Sequence, residues 1–295
     1  MISIIICSRD EEMLRAITQN VADTIGVAHE IIPIFNKTGQ YSIFQAYNIG
    51  ISRSRYDMLC FMHEDIFFET TDWGNSVLKA FSFNPNLGLL GVAGSSYKAL
   101  VPSGWSFWSA LNETFKINVI QHYKSGKPAV HVYNNPDGRT ISKAATVDGL
   151  WFCTPRVLAE KIKFDELNFK GFHCYDIDYS LSVIQTHDVA VTFEVLINHF
   201  SEGSADDSWL EETLKLHEKW KDILPVSLDD LTIDEQRQQE YNAFHEVIYK
   251  LPGKKMICLK FMKSIFKRKM VSLFGIKQFF IMESVIIKKI FENRK

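Results

Sequence analysis

"DMLCFMHEDIFF", residues 57–68, joins an apolar run, Met58 to Met62, to His63, Glu64 and Asp65, and then turns apolar again. A run with no polar alternation reads as a strand buried on both faces, the pattern of a central strand in a parallel sheet. Three ionisable groups at the end of such a strand are costly to bury unless a metal ion, a partner residue or water offsets their charge.

The same rhythm extends on both sides. "ISIIIC" (2–7) runs into polar "SRDEE", and "EIIPIF" (30–35) is followed by Gly39 and by "YSIFQAYNIGISRS" (41–54), whose apolar residues recur at helical spacing. Helical "DWGNSVLKAF" (72–81) precedes another apolar run, "LGLLGVAGSS" (87–96). Strands alternating with helices predict an α/β fold: a central, mostly parallel sheet flanked by helices. In such sheets ligands bind beyond the carboxyl ends of the strands, which is where Ser8, Arg9, Asp10, Asn36 and His63 to Asp65 fall.

Residues 97–145 break the rhythm. "VPSGWSFWSALNETF" (101–115) is rich in aromatics, and "VHVYNNPDGRTIS" (130–142) reads as a hairpin about Asn-Pro-Asp-Gly. A strand "TVDGLWFC" (146–153), a helix from Pro155, a helix around Tyr175 to Gln185 and a strand "VAVTFEVLINHF" (189–200) follow. "DDSWLEETLKLHEKW" (206–220) is an amphipathic helix with Asp206 or Asp207 as its cap. The expected division is a core region, residues 1–224, and a helical extension, residues 225–295.

With 46% hydrophobic residues among 295, the chain has the material for a globular core. Five scattered cysteines, Cys7, Cys60, Cys153, Cys174 and Cys258, form no C-x-x-C pair and read as reduced thiols of a cytoplasmic protein. A strand at the very start, without a basic and then apolar leader, suggests no signal peptide. The net charge of -2 is an average of unlike parts. From Lys254 to Lys295 twelve Lys or Arg face two acids, +10, which leaves -12 for residues 1–253. The tail interleaves its lysines with Ile, Leu, Phe and Met, and no segment reaches the ~20 apolar residues needed to span a bilayer. A basic amphipathic segment of this kind suits the surface of an anionic membrane; helices packed on the body or on a second copy are the alternative. No nucleic-acid partner is expected.

Three clusters carry candidate chemistry. In His63-Glu64-Asp65, alternate residues point to one side, so His63 and Asp65 converge while Glu64 points away. Such a pair suits a divalent metal or a sugar hydroxyl, and a solvated strand end is the alternative. In "FHCYDIDYSL" (172–181), Asp176 and Asp178 lie near a helix start, where the macrodipole favours carboxylates. Capping explains one acid; an acid among Phe172, Tyr175, Ile177 and Tyr179 also suits a general base. In "NHFSEGS" (198–204), His199 is either structural or a ligand, with Ser201 and Ser204 beside it.

In order along the chain, "SIIIC", "AYNIG", a strand ending in "HED", "VDGLWFCTPR", "YDID" and "HFSEGS" resemble a glycosyltransferase of the GT-A fold, family 2-like, over about residues 1–205. The resemblance implies a nucleotide-diphospho-sugar donor, a glycan or lipid-linked acceptor and a divalent cation, Mg or Mn. "HED" stands where the family has D-x-D. Asp65 would then be the metal-binding acid, and His63 replaces an aspartate that meets the ribose or a metal-linked water. Ser8, Arg9, Asp10 and Glu64 would face the nucleotide, and Asn36 would offer an amide to its base. Asp148 and Gly149 match a D-G turn beside the sugars, Asp176 the catalytic base with Asp178 one step on, and His199 a histidine completing the metal site. Ser182 stands where relatives often carry an arginine. The implied setting is surface-glycan synthesis on the inner face of the cell membrane, with Trp105, Phe107 and Trp108 as stacking partners for an acceptor sugar; a homo-oligomer is left open.

Two other readings compete. A nucleotidyltransferase would favour a glycine-rich basic loop after the first strand, and "CSRDEEM" (7–13) has one arginine and no glycine. A membrane-docked nucleotide-sugar binder without catalysis is suggested by His63, and opposed by Asp65, Asp176 and His199 together.

Overall fold

The computed structural model describes residues 1–106, 113–203, 206–250, 255–265 and 268–292. Contacts divide the chain into two compact units, residues 1–96 with 111–203, and residues 97–110 with 204–295. The boundary expected at residue 224 thus falls inside the second unit.

In the first unit, β1 (Ile2–Ser8), α1 (Glu11–Thr24), β2 (His29–Phe35), α2 (Ile43–Arg53) and β3 (Met58–Met62) alternate as expected. β1 lies between β2 and β3, parallel to both. Ile2, Ile4, Ile5 and Ile6 are all fully buried, which is why the run shows no alternation. Both helices start on side-chain caps. Asp10 accepts from the Glu12 and Met13 amides at the head of α1, and Ser42 forms a capping box with Gln45 at the head of α2.

The chain continues through β4 (Ile66–Phe68), α3 (Trp73–Phe83), β5 (Leu87–Gly91), β6 (Ala93–Ser95), β7 (Tyr97–Lys98), β8 (Phe115–Gln121), β9 (Val130–Asn134), β10 (Ile141–Lys143), β11 (Thr146–Val147) and β12 (Trp151–Pro155). Then come α4 (Arg156–Ile162), α5 (Tyr175–Val183), β13 (Asp188–Thr192) and β14 (Ile197–His199). One sheet has seven strands in the order β10-β13-β5-β12-β3-β1-β2; β12 and β10 run against the rest. A second sheet has the order β11-β6-β8-β14-β4, with β9 on β8.

Three expected strands are each two. "LGLLGVAGSS" divides into β5 and β6, "TVDGLWFC" into β11 and β12, and "VAVTFEVLINHF" into β13 and β14, one half in each sheet. Both halves are buried, so the apolar run continues across the break and periodicity gives no sign of it. The expected hairpin over 130–142 is also corrected. Gly138 makes the turn, its amide bonding the Asn135 carbonyl at 3.2 Å, but β9 pairs with β8 while β10 pairs with β13 in the other sheet.

All five cysteines are free thiols. Cys60 and Cys153 sit opposite one another in the β3–β12 pairing and are fully buried.

The second unit holds β7, α6 (Asp207–Lys219), β15 (Val226–Ser227), α7 (Ile233–Lys250), α8 (Lys255–Ile265), α9 (Arg268–Phe274) and α10 (Ile276–Glu292). Asp206 caps α6 by accepting from the Trp209 amide. Glu240, fully buried on α7, accepts from the Leu100 and Val101 amides and from the Tyr97 hydroxyl. Lys98 bonds Ser103 and His217. These bonds fasten residues 97–103 to α6 and α7, a long-range link that no local pattern announces. Among the described residues no helix is long and apolar enough to cross a membrane.

Candidate active site

The tripeptide His63-Glu64-Asp65 is the passage of the chain from β3 in one sheet to β4 in the other. Asp148 and Gly149 lie on the corresponding passage from β11 to β12, and His199 ends β14. The candidate residues therefore gather at the seam between the sheets, where main chain leaves one ladder for the next.

His63, Asp65 and His199 each offer a ligand atom, all within 4.8 Å of one another. His63 Nδ1 lies 3.7 Å from Asp65 Oδ1, which is buried without a hydrogen-bond partner. The other ring nitrogen of His63, Nε2, is 2.6 Å from the Tyr175 hydroxyl, and that hydroxyl donates to the Gly149 carbonyl at 3.1 Å. A tyrosine has one proton to give, so His63 Nε2 is the donor in its bond and Nδ1 turns a lone pair toward Asp65. Two acceptors facing each other across 3.7 Å suit a cation between them.

His199 is oriented in the same way. Gln121 donates from its amide nitrogen to the carbonyls of His122 at 2.7 Å and Ser201 at 2.9 Å, which leaves its Oε1 to accept from His199 Nδ1 at 3.1 Å. Nε2 is then the ligating atom, beside the Ser201 hydroxyl at 3.2 Å. Burial holds the His199 imidazole below the usual histidine range, in its neutral form. Burial opposes ionisation of Asp65, but His63, Ser201 and His199 outweigh it and hold the carboxyl below the usual range. A neutral His199 imidazole and an ionised Asp65 carboxylate are forms that a divalent metal needs. The residues fit the group.

Gly149 links this cluster to the second acid. Its amide donates to Asp176 Oδ2 at 2.9 Å, while the Ile177 amide donates to Oδ1 at 2.8 Å. A β-carbon at Gly149 would lie 2.1 Å from the Tyr175 hydroxyl, so only glycine lets the turn pass under that ring. Cys174, at φ 65°, takes the left-handed conformation that a side chain disfavours, just before α5 presents Tyr175 and Asp176. Burial, together with the Asp148 carboxylate, pushes Asp176 up to about 7. Asp178 is 2% exposed and about 160° round the helix from Asp176, on the buried side of α5.

The loop residues nominated for the donor have settled positions. Glu64 does point away from its neighbours, accepting from the Arg9 amide at 2.9 Å and the Asp10 amide at 3.3 Å, and so pins the loop after β1. Asp10 caps α1, and Ser8 is buried, its hydroxyl 3.4 Å from the Asp10 carbonyl. The Asn36 amide is buried and engaged in both directions with the Tyr41 backbone, so it shapes its loop and does not present an edge to a base. Arg9 remains exposed, its guanidinium 5.6 Å from the Phe172 ring. Phe107 and Trp108 lie outside the described residues. Tyr175 and Gln121 were missed as site residues, because their parts depend on partners far along the chain; Ser201 was named with His199 in "HFSEGS" as a candidate for metal or phosphate oxygens.

Residues 3–215 match the family model described as "Glycosyltransferase like family". The chain belongs to this glycosyltransferase family. Solved structures place the glycosyltransferase in the GT-A fold. It is similar to GalNAc-T7 crystallised with UDP, GalNAc and Mn2+, at TM-score 0.53 and 12% identity over 95% of this chain and 57% of that one. It is similar also to S. aureus TarS, at TM-score 0.56 and 9% identity over 99% and 53%, and to S. aureus TarS 1-349, at 0.57 and 10% over 99% and 88%. The chain thus spans little more than half the length of the first two. No curated protein sequence matches it.

Proposed function

We propose that this glycosyltransferase moves a sugar from a nucleoside-diphosphate donor to an acceptor hydroxyl with inversion at the anomeric carbon, Asp176 acting as general base. The observation that supports this reading is the single chain of contacts His63–Tyr175–Gly149–Asp176, which ties a cation-binding cluster to a carboxyl with a pKa near neutrality. Asp65, His199 and His63 would hold a divalent cation, Mg or Mn; the first two follow from the motif order, and the third from the geometry. When bound, such an ion neutralises charge on a leaving diphosphate as a Lewis acid.

The chain's own residues do the rest. Tyr175 and Gln121 fix the two imidazoles so that each turns a lone pair to the cluster. The Gly149 and Ile177 amides hold the Asp176 carboxyl in place, and Asp176 accepts the proton of the acceptor hydroxyl as that oxygen attacks. Direct attack needs no covalent intermediate, and one displacement inverts the carbon. The acceptor class, a glycan or a lipid-linked carrier at the inner membrane face, belongs to this proposal and is supported by the basic tail alone.

Transfer from labelled nucleotide-sugars, with thermal melts in nucleoside diphosphates with and without manganese, tests the reading. The expected result is transfer that stops on chelation, and an Asp176→Asn variant that keeps the nucleotide-dependent rise in melting temperature but loses at least about a hundredfold in kcat. Full activity in that variant would overturn the base; nucleotide binding without transfer by the native chain would favour a binder.

A further inference from the structure

The contacts that run from the cation-binding cluster to Asp176 leave it through His63. Another feature opens from Asp65, toward α1. It is a slot of about 330 Å³ walled by Met13 and Ala16 of α1, by Phe67 of β4 and by Phe200, with Glu12, Glu64 and Asp65 completing the lining. Phe200 is fixed in place. Its amide donates to the Asp65 carbonyl at 3.0 Å, and its ring, 39% exposed, stacks on His122 at 4.3 Å and meets Phe67 edge-on at 5.4 Å. His122 is itself held by Asn198, and Asn198 by Glu69. A held ring with an open face is a stacking platform for a flat heterocycle. Of the carboxylates, Glu64 is committed to the Arg9 and Asp10 amides and Asp65 belongs to the cluster. Glu12 is exposed, and among the described residues no hydrogen bond or ion pair holds its carboxylate.

Resting on the nucleotide-sugar reading above, we propose that the slot takes the nucleobase of the donor, and that the base is guanine, read by Glu12. A sugar nucleotide carries its sugar and its nucleoside at opposite ends of one diphosphate. With the diphosphate at the cluster and the sugar toward Asp176, on the His63 side, the nucleoside leaves past Asp65 and meets the slot. Asn36 offers no competing edge, its amide being engaged with Tyr41. Among the common bases guanine alone sets two N–H donors side by side, on its ring nitrogen and its amino group, to match both oxygens of a carboxylate. Uracil and thymine place one N–H between two carbonyl oxygens, which a carboxylate repels. Adenine and cytosine place a ring lone pair beside the amine.

Calorimetric titration of the full chain with GDP, UDP, CDP and ADP, each with manganese, tests it. GDP is expected to bind at least about tenfold more tightly than any of the others. Glu12→Gln, an exposed change in the first turn of α1, should remove most of that preference. Phe200→Leu should weaken GDP at least about fivefold by taking away the stacking face. Tighter binding of another nucleotide, or a Glu12→Gln variant that keeps the full preference for GDP, would overturn the inference and leave the donor reading standing. So would GDP affinity unchanged in Phe200→Leu. A native chain that binds none of the four would overturn both.

Discussion

Asp176 sits between two backbone amides and a second carboxylate, and its chemistry follows from that placing. In the proposed role of general base it must be ionised, so kcat/KM should climb about tenfold per pH unit below 7 and level off above it. The effect on stability has the opposite sense. The folded-state pKa, about 7, exceeds the ordinary 3.8, so the folded protein binds the extra proton between those values and loses stability as pH rises through them. Asp176→Asn is therefore expected to melt above the native chain at pH 8, by a margin that shrinks toward pH 4; melts across that range check it. In the sequence an acid among aromatics read as a candidate base. Its partner Asp178 read the same way, because nothing local distinguishes the two faces of a helix that is apolar nearly all round. His63 was read as meeting the sugar nucleotide, and its turn toward Asp65 depends on Tyr175, 112 residues away.

At the scale of elements, the crossings between sheets are what sequence periodicity could not register. The order of strands and helices up to α3, β4 apart, was plain from their apolar spacing, and His63, Asp65 and His199 were nominated from the order of motifs, whereas Tyr175 and Gln121 were not. The breaks within "LGLLGVAGSS" and "VAVTFEVLINHF" were not, because a strand buried in one sheet and a strand buried in the next have the same composition. The β11–β12 crossing is the one most exposed to mutation. Gly149→Ala places a carbon against the Tyr175 hydroxyl, and the ring must retreat from both His63 and the Gly149 carbonyl. Expected is a loss of at least about tenfold in kcat with a destabilisation of about 1–3 kcal/mol. Tyr175→Phe, which loses the hydroxyl without the clash, should share much of the kinetic defect and little of the instability; steady-state kinetics beside denaturant melts separate the two.

For the whole molecule, the opposition of acidic body and basic tail was readable in composition, yet composition could not say that the tail is also core. Since α8 and α10 bury six large apolar side chains and Cys258 in the second unit, removing residues 254–295 should lower the melting temperature and expose apolar surface, seen as increased binding of a hydrophobic dye. A truncation that melts like the full chain would contradict this. The paired thiols at the middle of the larger sheet have a further use. Cys60 and Cys153 have no surface to offer a reagent, whereas Cys7, at the strand end beside the seam, is partly open. Under an alkylating reagent the peptide bearing Cys7 should be modified early, and the other two together, only as fast as β3 parts from β12. The native chain thus carries its own stopwatch for the rupture of its centre, readable by mass spectrometry without adding a label.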